Sequence, residues 1–306
     1  MCDRDLHYQA HKIHNTIHFV QYMPEPIDRL SALLERFRVR AHLFHAGPLC
    51  GVTHFAAQPG RAFLHVLRRG EMALTHRRGS GAPRRIEVRE PTLVFYPRPL
   101  AHDFHNAPAE GSDFVCATLD FEGGIHHPLA RALPPLVLMP IREVDGLEHT
   151  LALLFAETTR LRCGQRLLAD RMFEVLLLQL LRWLFDHPEQ AGISSGLLAG
   201  LAHPKLARAL TALHERPGEP WDLPAMAQAA GMSRSAYAAA FRDSLGQTPA
   251  DYLLQWRVAL ARQMLLSGTP VKAVADQLGY GTPASLSRAF TQAVGLSPRA
   301  WLAQQA

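Results

Sequence analysis

Cysteine is the residue type of this chain that most directly suggests redox or metal chemistry. The 306 residues contain four cysteines: Cys2, Cys50, Cys116 and Cys163. They are too widely spaced for the disulfide framework of a small secreted domain, and no two of them form the Cys-x-x-Cys pair of a zinc knuckle. A thiolate can still be oxidised to a sulfenic acid, which a second cysteine captures as a disulfide when the two α-carbons lie within ~7 Å. The alternative is that these cysteines are small buried apolar residues.

Histidine is the second residue type that could carry chemistry. Fifteen of the seventeen histidines precede residue 203. In the segment 1–25, which has no clear period, four histidines would share one face of a helix: His7, His11, His14 and His18. A metal site is one interpretation of this segment, but we favour a flexible tail. The chain contains no nucleophile elbow, phosphate loop or His-Glu-x-x-His motif, so its sequence does not indicate hydrolytic or nucleotide chemistry.

The net positive charge lies mainly in the C-terminal third. From His203 to the end, ten Lys and Arg face six Asp and Glu, a net charge of +4 out of +5 for the whole chain. A basic region of this kind suggests a polyanionic partner. Hydrophobic residues make up 48% of the chain, but no apolar run reaches the ~18 residues of a membrane span. We therefore expect a cytoplasmic protein of about two domains, with no membrane partner.

The periodicity of the apolar residues changes along the chain. A helix is predicted from about Pro26, and short apolar segments punctuated by Gly and Pro then predict a β-sandwich or small barrel up to about residue 122. Helical periodicity follows, and the helix around "MFEVLLLQLL" is apolar over most of its circumference. Such a helix is deeply buried or shared with a partner chain, so residues 147–187 are predicted to form a dimer surface. Pro, Gly and Ser in residues 188–202 predict a linker.

A motif near the C-terminus occurs twice. "FRDSLGQTP" at 241–249 and "FTQAVGLSP" at 290–298 share Phe, Gly and Pro at the same spacing. In each copy an Ala precedes a Gly by four residues, and a cap and a Phe follow. The positions are Ala227, Gly231, Ser233 and Phe241, and Ala275, Gly279, Thr282 and Phe290. The small Ala permits close helix crossing, the Gly permits positive φ at the turn, and Ser or Thr caps the next helix. The pattern predicts two helix-turn-helix units.

One helix, "ADYLLQWRVALARQMLLSG", is predicted between the two units and would hold them rigidly apart. Two recognition helices on one face can enter successive major grooves of DNA, which lie ~34 Å apart. The duplication therefore predicts a domain that binds DNA through two helices.

These residues resemble the AraC/XylS family of bacterial transcription regulators over about residues 203–304. The segments "GMSRSAYAAAFRDSLGQTPADYLLQWRVALARQML" and "VADQLGYGTPASLSRAFTQAVGLSPRAW" carry the resemblance. It implies double-stranded DNA as a partner, and RNA polymerase as well if the protein is an activator. The candidate DNA-binding residues are Arg234, Ser235, Ala238, Ala239, Arg242, Thr282, Ala284, Ser285 and Arg288. Arg288 is the strongest candidate, because an arginine there can bond guanine or phosphate bidentately, whereas Arg242 can equally be a solvated surface charge.

The β-rich region resembles the cupin-type sensor domain of one AraC subfamily. "PRPLAHDFHN" resembles the second cupin motif, although Pro99 stands where Gly is usual, and Leu67 replaces the second His of the first motif. The resemblance implies a ligand pocket or a divalent metal site, for example for zinc, formed by His65, Glu71 and His102, with His105 as a further metal ligand. No cofactor is certain from the sequence, because the same residues can be polar groups that are satisfied inside the domain.

The subfamily includes regulators responsive to reactive chlorine species, and the resemblance covers two cysteines. Cys50 in "GPLCG" and Cys116 in "FVCATL" match its two cysteine positions, which implies a redox-sensing pair. A small-molecule signal in the barrel and the absence of either role are the alternatives. A cupin metal-dependent enzyme fused to a DNA-binding module is the alternative function, but the missing histidine argues against it, and we expect no enzymatic activity.

The sequence thus predicts an α+β multidomain protein. A cupin-like β-barrel with a helical dimerisation segment occupies residues 26–187, and a linker occupies 188–202. An all-α double helix-turn-helix domain occupies 203–306. The predicted function is sequence-specific transcription regulation by a homodimer, controlled by a small-molecule or oxidant signal in the barrel.

Overall fold

The computed structural model describes residues 27–107, 111–160 and 162–305 of the chain. The predicted tail 1–25 lies outside the described residues, together with Cys2, His7, His11, His14 and His18.

Strands dominate the first half of the described chain and form two antiparallel sheets. Their bounds are β1 Val39–Leu49, β2 Val52–Phe55, β3 Arg61–Arg69, β4 Met72–His76, β5 Arg85–Val88, β6 Thr92–Tyr96, β7 His102–Asn106, β8 Ser112–Phe121 and β9 Val137–Pro140. The five-stranded sheet has the order β1-β8-β3-β6-β9, and the four-stranded sheet has the order β2-β7-β4-β5. The predicted β region is confirmed. Strand β9 lies beyond it, because a four-residue apolar run between prolines has too little period to identify as a strand.

The space between the two sheets is filled by apolar side chains from both. Phe63 and Phe114 of the five-stranded sheet meet Phe55 and Phe104 of the four-stranded sheet there. The other face of the five-stranded sheet is also buried, against helices. Because both faces are covered, β3 is buried from Ala62 to Leu67, and this run is apolar except for His65 instead of alternating between apolar and polar residues.

Four helices accompany the barrel. Their bounds are α1 Ser31–Arg36, α2 Pro128–Ala132, α3 Leu147–Thr158 and α4 Gln165–Asp186. Helix α1 is shorter than predicted from about Pro26. The carboxylate of Asp28 accepts hydrogen bonds from the backbone N–H groups of Leu30 and Ser31, at 3.1 and 3.0 Å, and so holds the chain at the start of the helix. Helices α3 and α4 agree with the helical periodicity of the sequence.

Helix α4 packs along β1, the edge strand of the five-stranded sheet. The Asp170 carboxylate accepts a hydrogen bond from the backbone N–H of Leu43 at 2.7 Å, and Glu174 accepts one from Ala41 at 3.4 Å. These bonds satisfy edge N–H groups that would otherwise be open to pairing with another strand. The two acidic side chains therefore attach the long helix to the barrel.

Helices follow one another through the second half. Their bounds are α5 Leu197–Ala202, α6 Pro204–Glu215, α7 Leu223–Ala229, α8 Arg234–Leu245, α9 Pro249–Leu266, α10 Val271–Gln277, α11 Pro283–Val294 and α12 Pro298–Ala303. Helix α5 occupies the second half of the predicted linker 188–202, which is a correction to that interpretation. Its Leu198 and Leu201 are buried, and a Cβ atom on Gly200 would lie 2.6 Å from Leu245 of α8. The helix forms because this packing outweighs the Gly- and Ser-rich composition around it.

The barrel half and the helical half share one continuous core. The ring of Phe37, just after α1, lies 5.2 Å from the ring of Trp256 on α9. Arg36 donates a hydrogen bond to the carbonyl oxygen of Glu215 at 2.7 Å. The architecture confirms the predicted α+β fold class, a cupin-like sheet domain followed by a helical helix-turn-helix region. Within the described ranges, no helix is long and apolar enough to cross a membrane.

Candidate nucleic-acid interface and barrel interior

The first helix-turn-helix unit consists of α7 and α8. Ala227 is buried at the helix crossing, and Gly231 has a φ of +62° at the turn. The Ser233 hydroxyl caps α8 by accepting a hydrogen bond from the Ala236 N–H at 3.3 Å. Phe241 is fully buried beneath the helix. Each of these four positions has the structural role that the sequence pattern predicts for it.

The second unit, α10 and α11, repeats this arrangement. Gly279 has a φ of +74°, and a Cβ atom there would lie 2.2 Å from the carbonyl oxygen of Gly218. Thr282 caps α11 by accepting a hydrogen bond from the Ser285 N–H at 3.1 Å, and Phe290 is fully buried. Glycine is therefore required here both by the left-handed backbone and by the close approach of another loop.

Helix α9 connects the two units. Its 18 residues extend ~27 Å at 1.5 Å per residue. A rigid connection of this length is close to the ~34 Å between successive major grooves on one face of a duplex.

The predicted contact residues of the first unit lie on α8. Arg234, Ser235, Ala239 and Arg242 are exposed, whereas Ala238 is half-buried and lines a groove against α9. Because it is half-buried, Ala238 has less surface available to a base than its neighbours. Neither Arg234 nor Arg242 belongs to an ion pair among the described residues.

The predicted contact residues of the second unit lie at the start of α11. Thr282, Ala284 and Arg288 are exposed, and Arg288 is in no ion pair of the described chain. Ser285 is half-buried, and its hydroxyl lies 2.7 Å from the Thr282 hydroxyl and 3.0 Å from the Thr282 carbonyl oxygen. The cap thus orients the Ser285 side chain before any ligand arrives.

Sequence reasoning missed Arg257, which positions the two units. Its guanidinium donates hydrogen bonds to the carbonyl oxygens of Pro217 and Glu219, both at 2.8 Å, and lies 5.5 Å from the Tyr280 ring. These contacts connect the loop before α7, helix α9 and the turn of the second unit. The sequence contains one feature that could have identified it: Arg257 interrupts an otherwise apolar segment of α9.

Two histidines meet in the barrel interior. The Nε2 atoms of His65 on β3 and His102 on β7 lie 3.0 Å apart, and both side chains are fully buried. The other ring nitrogen of His102 lies 2.9 Å from the Leu100 carbonyl oxygen and must donate to it. The neutral ring of His102 then accepts from His65 Nε2–H, which leaves His65 Nδ1 as a lone pair without a partner.

Aromatic rings surround this pair. The ring of His102 stacks between Tyr96 at 3.9 Å and Phe55 at 4.9 Å, and Phe63 stacks on His65 at 5.7 Å. Burial lowers the pKa of His102 to about 4, and burial together with the neighbouring His102 lowers the pKa of His65 well below its usual value. Both rings are therefore neutral at pH 7 and can accept or donate hydrogen bonds without carrying charge.

The predicted metal-ligand set is not assembled, which is a correction to that prediction. Glu71 is exposed in the turn between β3 and β4, and His105 lies on the opposite face of β7 from His102, 2.9 Å from the Thr75 hydroxyl. Successive strand residues point to opposite faces, so a spacing of three separates His102 from His105. In the part of the chain that the structure describes, no group of three His, Cys, Asp or Glu side chains could hold a metal ion.

The predicted cysteine pair is separated in the barrel. Cys116 lies in β8 opposite His65 and is fully buried, whereas Cys50 is exposed just after β1, beside Gly111. Cys116 lies five positions beyond Gly111 along the strand, which corresponds to roughly 17 Å. A disulfide needs α-carbons within ~7 Å, so the two cannot join in this conformation. Burial also raises the pKa of the Cys116 thiol well above its usual value, which disfavours the reactive thiolate.

Family models match both halves of the chain. A cupin model matches residues 28–186, and a helix-turn-helix domain model matches residues 226–304. These ranges correspond to the barrel with its helices and to the two units with their connecting helix.

Similar proteins are transcription regulators. A Streptomyces antibioticus protein described as an AraC-like transcription regulator is 30% identical over 89% of this chain and 97% of its own length. The "RCS-specific HTH-type transcriptional activator RclR" of Escherichia coli strain K12 is 28% identical over 69% of this chain and 75% of its own. Among solved structures, the DNA-binding domain of AdpA in complex with a target DNA is 32% identical. It covers 33% of this chain and 91% of that one, with a TM-score of 0.31. The relatives from Streptomyces antibioticus and Escherichia coli confirm the prediction of a regulator rather than an enzyme.

Proposed function

This chain belongs to the AraC family of transcription regulators, with a cupin domain before its helix-turn-helix region, and we propose that it binds an operator through both recognition helices under the control of a signal in the barrel. The supporting observation is the pair of similarly capped helices, α8 and α11, that present unpaired arginines and are joined by one 18-residue helix. The two helices would enter successive major grooves.

The DNA contacts that we propose for each recognition helix follow from its exposed side chains. In α11, Arg288 can bond a guanine edge, while Ala284 and Ser285 contact neighbouring groups. In α8, Ser235 and Ala239 offer short contacts, and Arg234 and Arg242 supply charge for phosphates. We assign most of the base readout to the second unit and much of the electrostatic affinity to the first.

The signal is proposed to act on the buried His65–His102 pair. The unpartnered Nδ1 atom of His65 is a hydrogen-bond acceptor in an aromatic environment, which a small donor entering the barrel would satisfy. Direct oxidation is the second candidate signal. In this conformation it would begin at the exposed Cys50 rather than at Cys116, because Cys116 is buried as a thiol.

The active form is proposed to be a cytoplasmic homodimer. Helix α4 exposes Leu168 and Val175, seven residues apart and therefore on one face. Pairing of these faces would present four helix-turn-helix units to a repeated operator, and an activator bound there would have RNA polymerase as its second partner.

The direct test selects DNA from a random duplex library with the full-length protein. We expect enrichment of two motifs about 10–11 base pairs apart, because each unit reads one major groove. Anisotropy at fixed salt then compares the enriched duplex with a shuffled duplex of equal composition. Equal affinity for the two duplexes, or no enrichment, would contradict sequence-specific binding.

Control by the barrel is tested with the same enriched duplex. Reduced protein is compared with protein treated with mild oxidant, for the wild type and for Cys50→Ser and Cys116→Ser. A reversible change in affinity that is lost only in Cys50→Ser assigns the redox signal to the exposed thiol. An unchanged response in both variants would remove the cysteines from the mechanism.

A further inference from the structure

A hairpin of the barrel half carries a dense group of arginines. Residues 77–85, which close the hairpin of β4 and β5, read "RRGSGAPRR". This segment, the arginine loop, contains no acidic residue, and its cations are Arg77, Arg78, Arg84 and Arg85. The wider segment 68–89 has seven Arg and two Glu, a net charge of +5, which equals that of the whole chain. The protein therefore has a second concentration of positive charge outside its helix-turn-helix region.

Hydrogen bonds hold the arginine loop in a defined conformation. The backbone N–H of His76 donates to the Arg84 carbonyl oxygen at 3.0 Å, and its Nδ1–H donates to the Pro83 carbonyl oxygen at 2.5 Å. Within the loop, the backbone N–H of Ser80 donates to the Arg77 carbonyl oxygen at 3.3 Å. The arginine side chains therefore project from an ordered backbone.

Most of these guanidinium groups have no acidic partner. Arg77, Arg78 and Arg84 are exposed and belong to no ion pair among the described residues, whereas Arg85 pairs with Glu87 at 2.8 Å. Like charges that are close together repel one another, and a bound anion relieves the repulsion. Three arginines of the loop are therefore free to bind a polyanion.

The other residues of the arginine loop indicate which polyanion fits. They are Gly, Ser, Ala and Pro, so the segment 77–85 exposes no large apolar side chain. A protein interface depends on buried aromatic or other large anchors, which this loop lacks, whereas contacts to nucleic-acid phosphates need only cationic and hydrogen-bonding groups. Phosphates therefore match the loop better than an acidic protein surface does.

The arginine loop lies on the side of the barrel that adjoins the first helix-turn-helix unit. A Cβ atom on Gly81 would lie 3.4 Å from Pro135, which follows α2. Helix α2 packs against α5. The backbone N–H of Gly196, just before α5, donates to the carbonyl oxygen of Ser244 in the last turn of α8, at 2.8 Å. Contacts through α2 and α5 therefore connect the loop to a recognition helix.

Two more arginines lie along this connection. Arg131 is exposed on α2, and its carbonyl oxygen accepts a hydrogen bond from the Arg98 guanidinium at 3.4 Å. Neither belongs to an ion pair in the described part of the chain. Positive charge thus continues on the barrel half from the arginine loop toward α8.

We propose that the arginine loop binds the phosphate backbone of DNA beside the segment that the recognition helices read. Phosphate contacts do not depend on base sequence, so the loop adds affinity without adding specificity. The barrel half thereby holds the duplex directly. This inference rests on the proposed function, because α8 and α11 determine which segment of the duplex lies beside the loop.

Salt-dependent DNA binding by the full-length protein tests the proposal. Anisotropy is measured between about 50 and 300 mM KCl on two duplexes. One is the enriched site trimmed to its two motifs, about 22 base pairs, and the other carries about 12 further base pairs of arbitrary sequence on each side. The wild type should bind the longer duplex more tightly and with a steeper salt dependence, because it contacts more phosphates.

The double variant Arg78→Gln with Arg84→Gln should lose this difference. On the longer duplex the slope of log K against log salt should fall by roughly 2, which is about 0.9 for each phosphate contact, and the affinity should fall about tenfold or more. On the trimmed duplex the variant should bind like the wild type. Its preference for the enriched over the shuffled site should also stay unchanged, because the recognition helices are intact.

The matched control is the double variant Arg69→Gln with Arg89→Gln. It removes the same charge from two exposed arginines near the opposite end of β4 and β5, where Met72 pairs with Val88. We expect wild-type binding to both duplexes. The melting temperature of each variant is recorded, so that misfolding is not mistaken for a lost contact.

The outcomes separate this proposal from the proposed function. Equal losses in the two double variants, or wild-type binding to the longer duplex by the Arg78 and Arg84 variant, would overturn the phosphate contact. If that variant bound DNA like the wild type but no longer bound RNA polymerase, the loop would belong to a protein interface instead. A wild type without preference for the enriched site would overturn the proposed function, whereas the salt slopes on the longer duplex would still report on the loop.

Discussion

At the scale of single residues, the two recognition helices differ in the contacts that their side chains can make with DNA bases. The exposed surface of α8 carries mainly serine and alanine between its arginines, whereas α11 presents Arg288 beyond short neighbours. A long guanidinium can bond two acceptors of one guanine, whereas an alanine can only touch a thymine methyl group. Specificity should therefore depend more on the second helix.

The Arg288→Ala variant tests this assignment. We expect specific binding to weaken by ~1–3 kcal/mol and the preference at one base position to relax, because a bidentate contact is lost. Anisotropy on the enriched duplex and on single-base variants provides the measurement. Arg89→Ala removes an exposed arginine of the barrel half as a control. Equal losses in the two variants would show that Arg288 contributes only general charge.

One buried histidine is expected to make the stability of the protein depend on pH. His127 is buried, its Nε2–H donates to the Phe37 carbonyl oxygen at 3.1 Å, and its Nδ1 accepts from the Leu129 N–H at 3.2 Å. Burial lowers its pKa to about 4, so the unfolded chain takes up a proton below pH ~6.5 that the folded chain does not. The contribution of His127 to the free energy of unfolding is fully present above pH ~6.5 and is lost as the pH falls toward about 4.

The His127→Asn variant isolates this contribution. Asparagine can still cap α2, but it does not titrate. Between pH 7 and pH 5, the free energy of unfolding should fall by about 2 kcal/mol less in the variant than in the wild type. Urea unfolding at pH 5, 6 and 7 measures the difference. His149→Asn changes an exposed histidine and should keep the wild-type slope, and a wild-type slope in His127→Asn would refute the account.

At the scale of elements, each unit depends on a turn that only glycine can form. Gly279 combines a φ of +74° with a carbonyl oxygen 2.2 Å from the position of a Cβ atom. The contacting loop contains Gly218 and is held to α9 by Arg257. The turn of the second unit is therefore packed against the loop before the first unit, and the orientation of the two recognition helices depends on this contact.

Gly279→Ala should disrupt that contact. We expect a loss of ~2–4 kcal/mol, from the left-handed backbone and the steric clash together, with weakened DNA binding. Thermal unfolding and anisotropy give the two readouts. Gly281→Ala is the matched control two residues away, where a Cβ atom meets nothing within 4 Å. A thermal midpoint of Gly279→Ala equal to that of the control would contradict the packing argument.

At the scale of the whole molecule, exposed apolar residues of α4 mark the proposed dimer surface. Leu168 is 45% exposed and Val175 is 43% exposed, and the neighbouring Leu167 is 62% exposed, although most of the apolar side chains of α4 are buried. The hydrogen bonds from Asp170 and Glu174 to β1 fix this helix on the barrel. Two chains paired through it would hold their barrels in a defined relation.

The double variant Leu168→Glu with Val175→Glu should convert a dimer into a monomer, because pairing would bury like charges. Sedimentation velocity of the full-length protein measures the state. Leu266→Glu is the control, since Leu266 is comparably exposed at the end of α9. A wild-type monomer, or a double variant that remains dimeric, would exclude this surface.

The helical half could be predicted closely from the sequence, because its determinants are local. Helix caps, turn glycines and a helical apolar period depend on neighbours within a few residues, so Ser233, Thr282, Gly231 and Gly279 identify both units. The β-rich texture of the first half and the long helices α3 and α4 are local signals of the same kind.

Only the tertiary structure decided which distant residues meet. His65 and His102 come together because β3 and β7 face each other across the barrel, while the strand period turns His105 away and the turn leaves Glu71 exposed. Cys50 and Cys116 are separated by about half the length of β8, although both occupy positions that suggest a pair. Sequence spacing cannot fix such distances, because strand register and packing of the two halves arise from contacts between residues far apart in the chain.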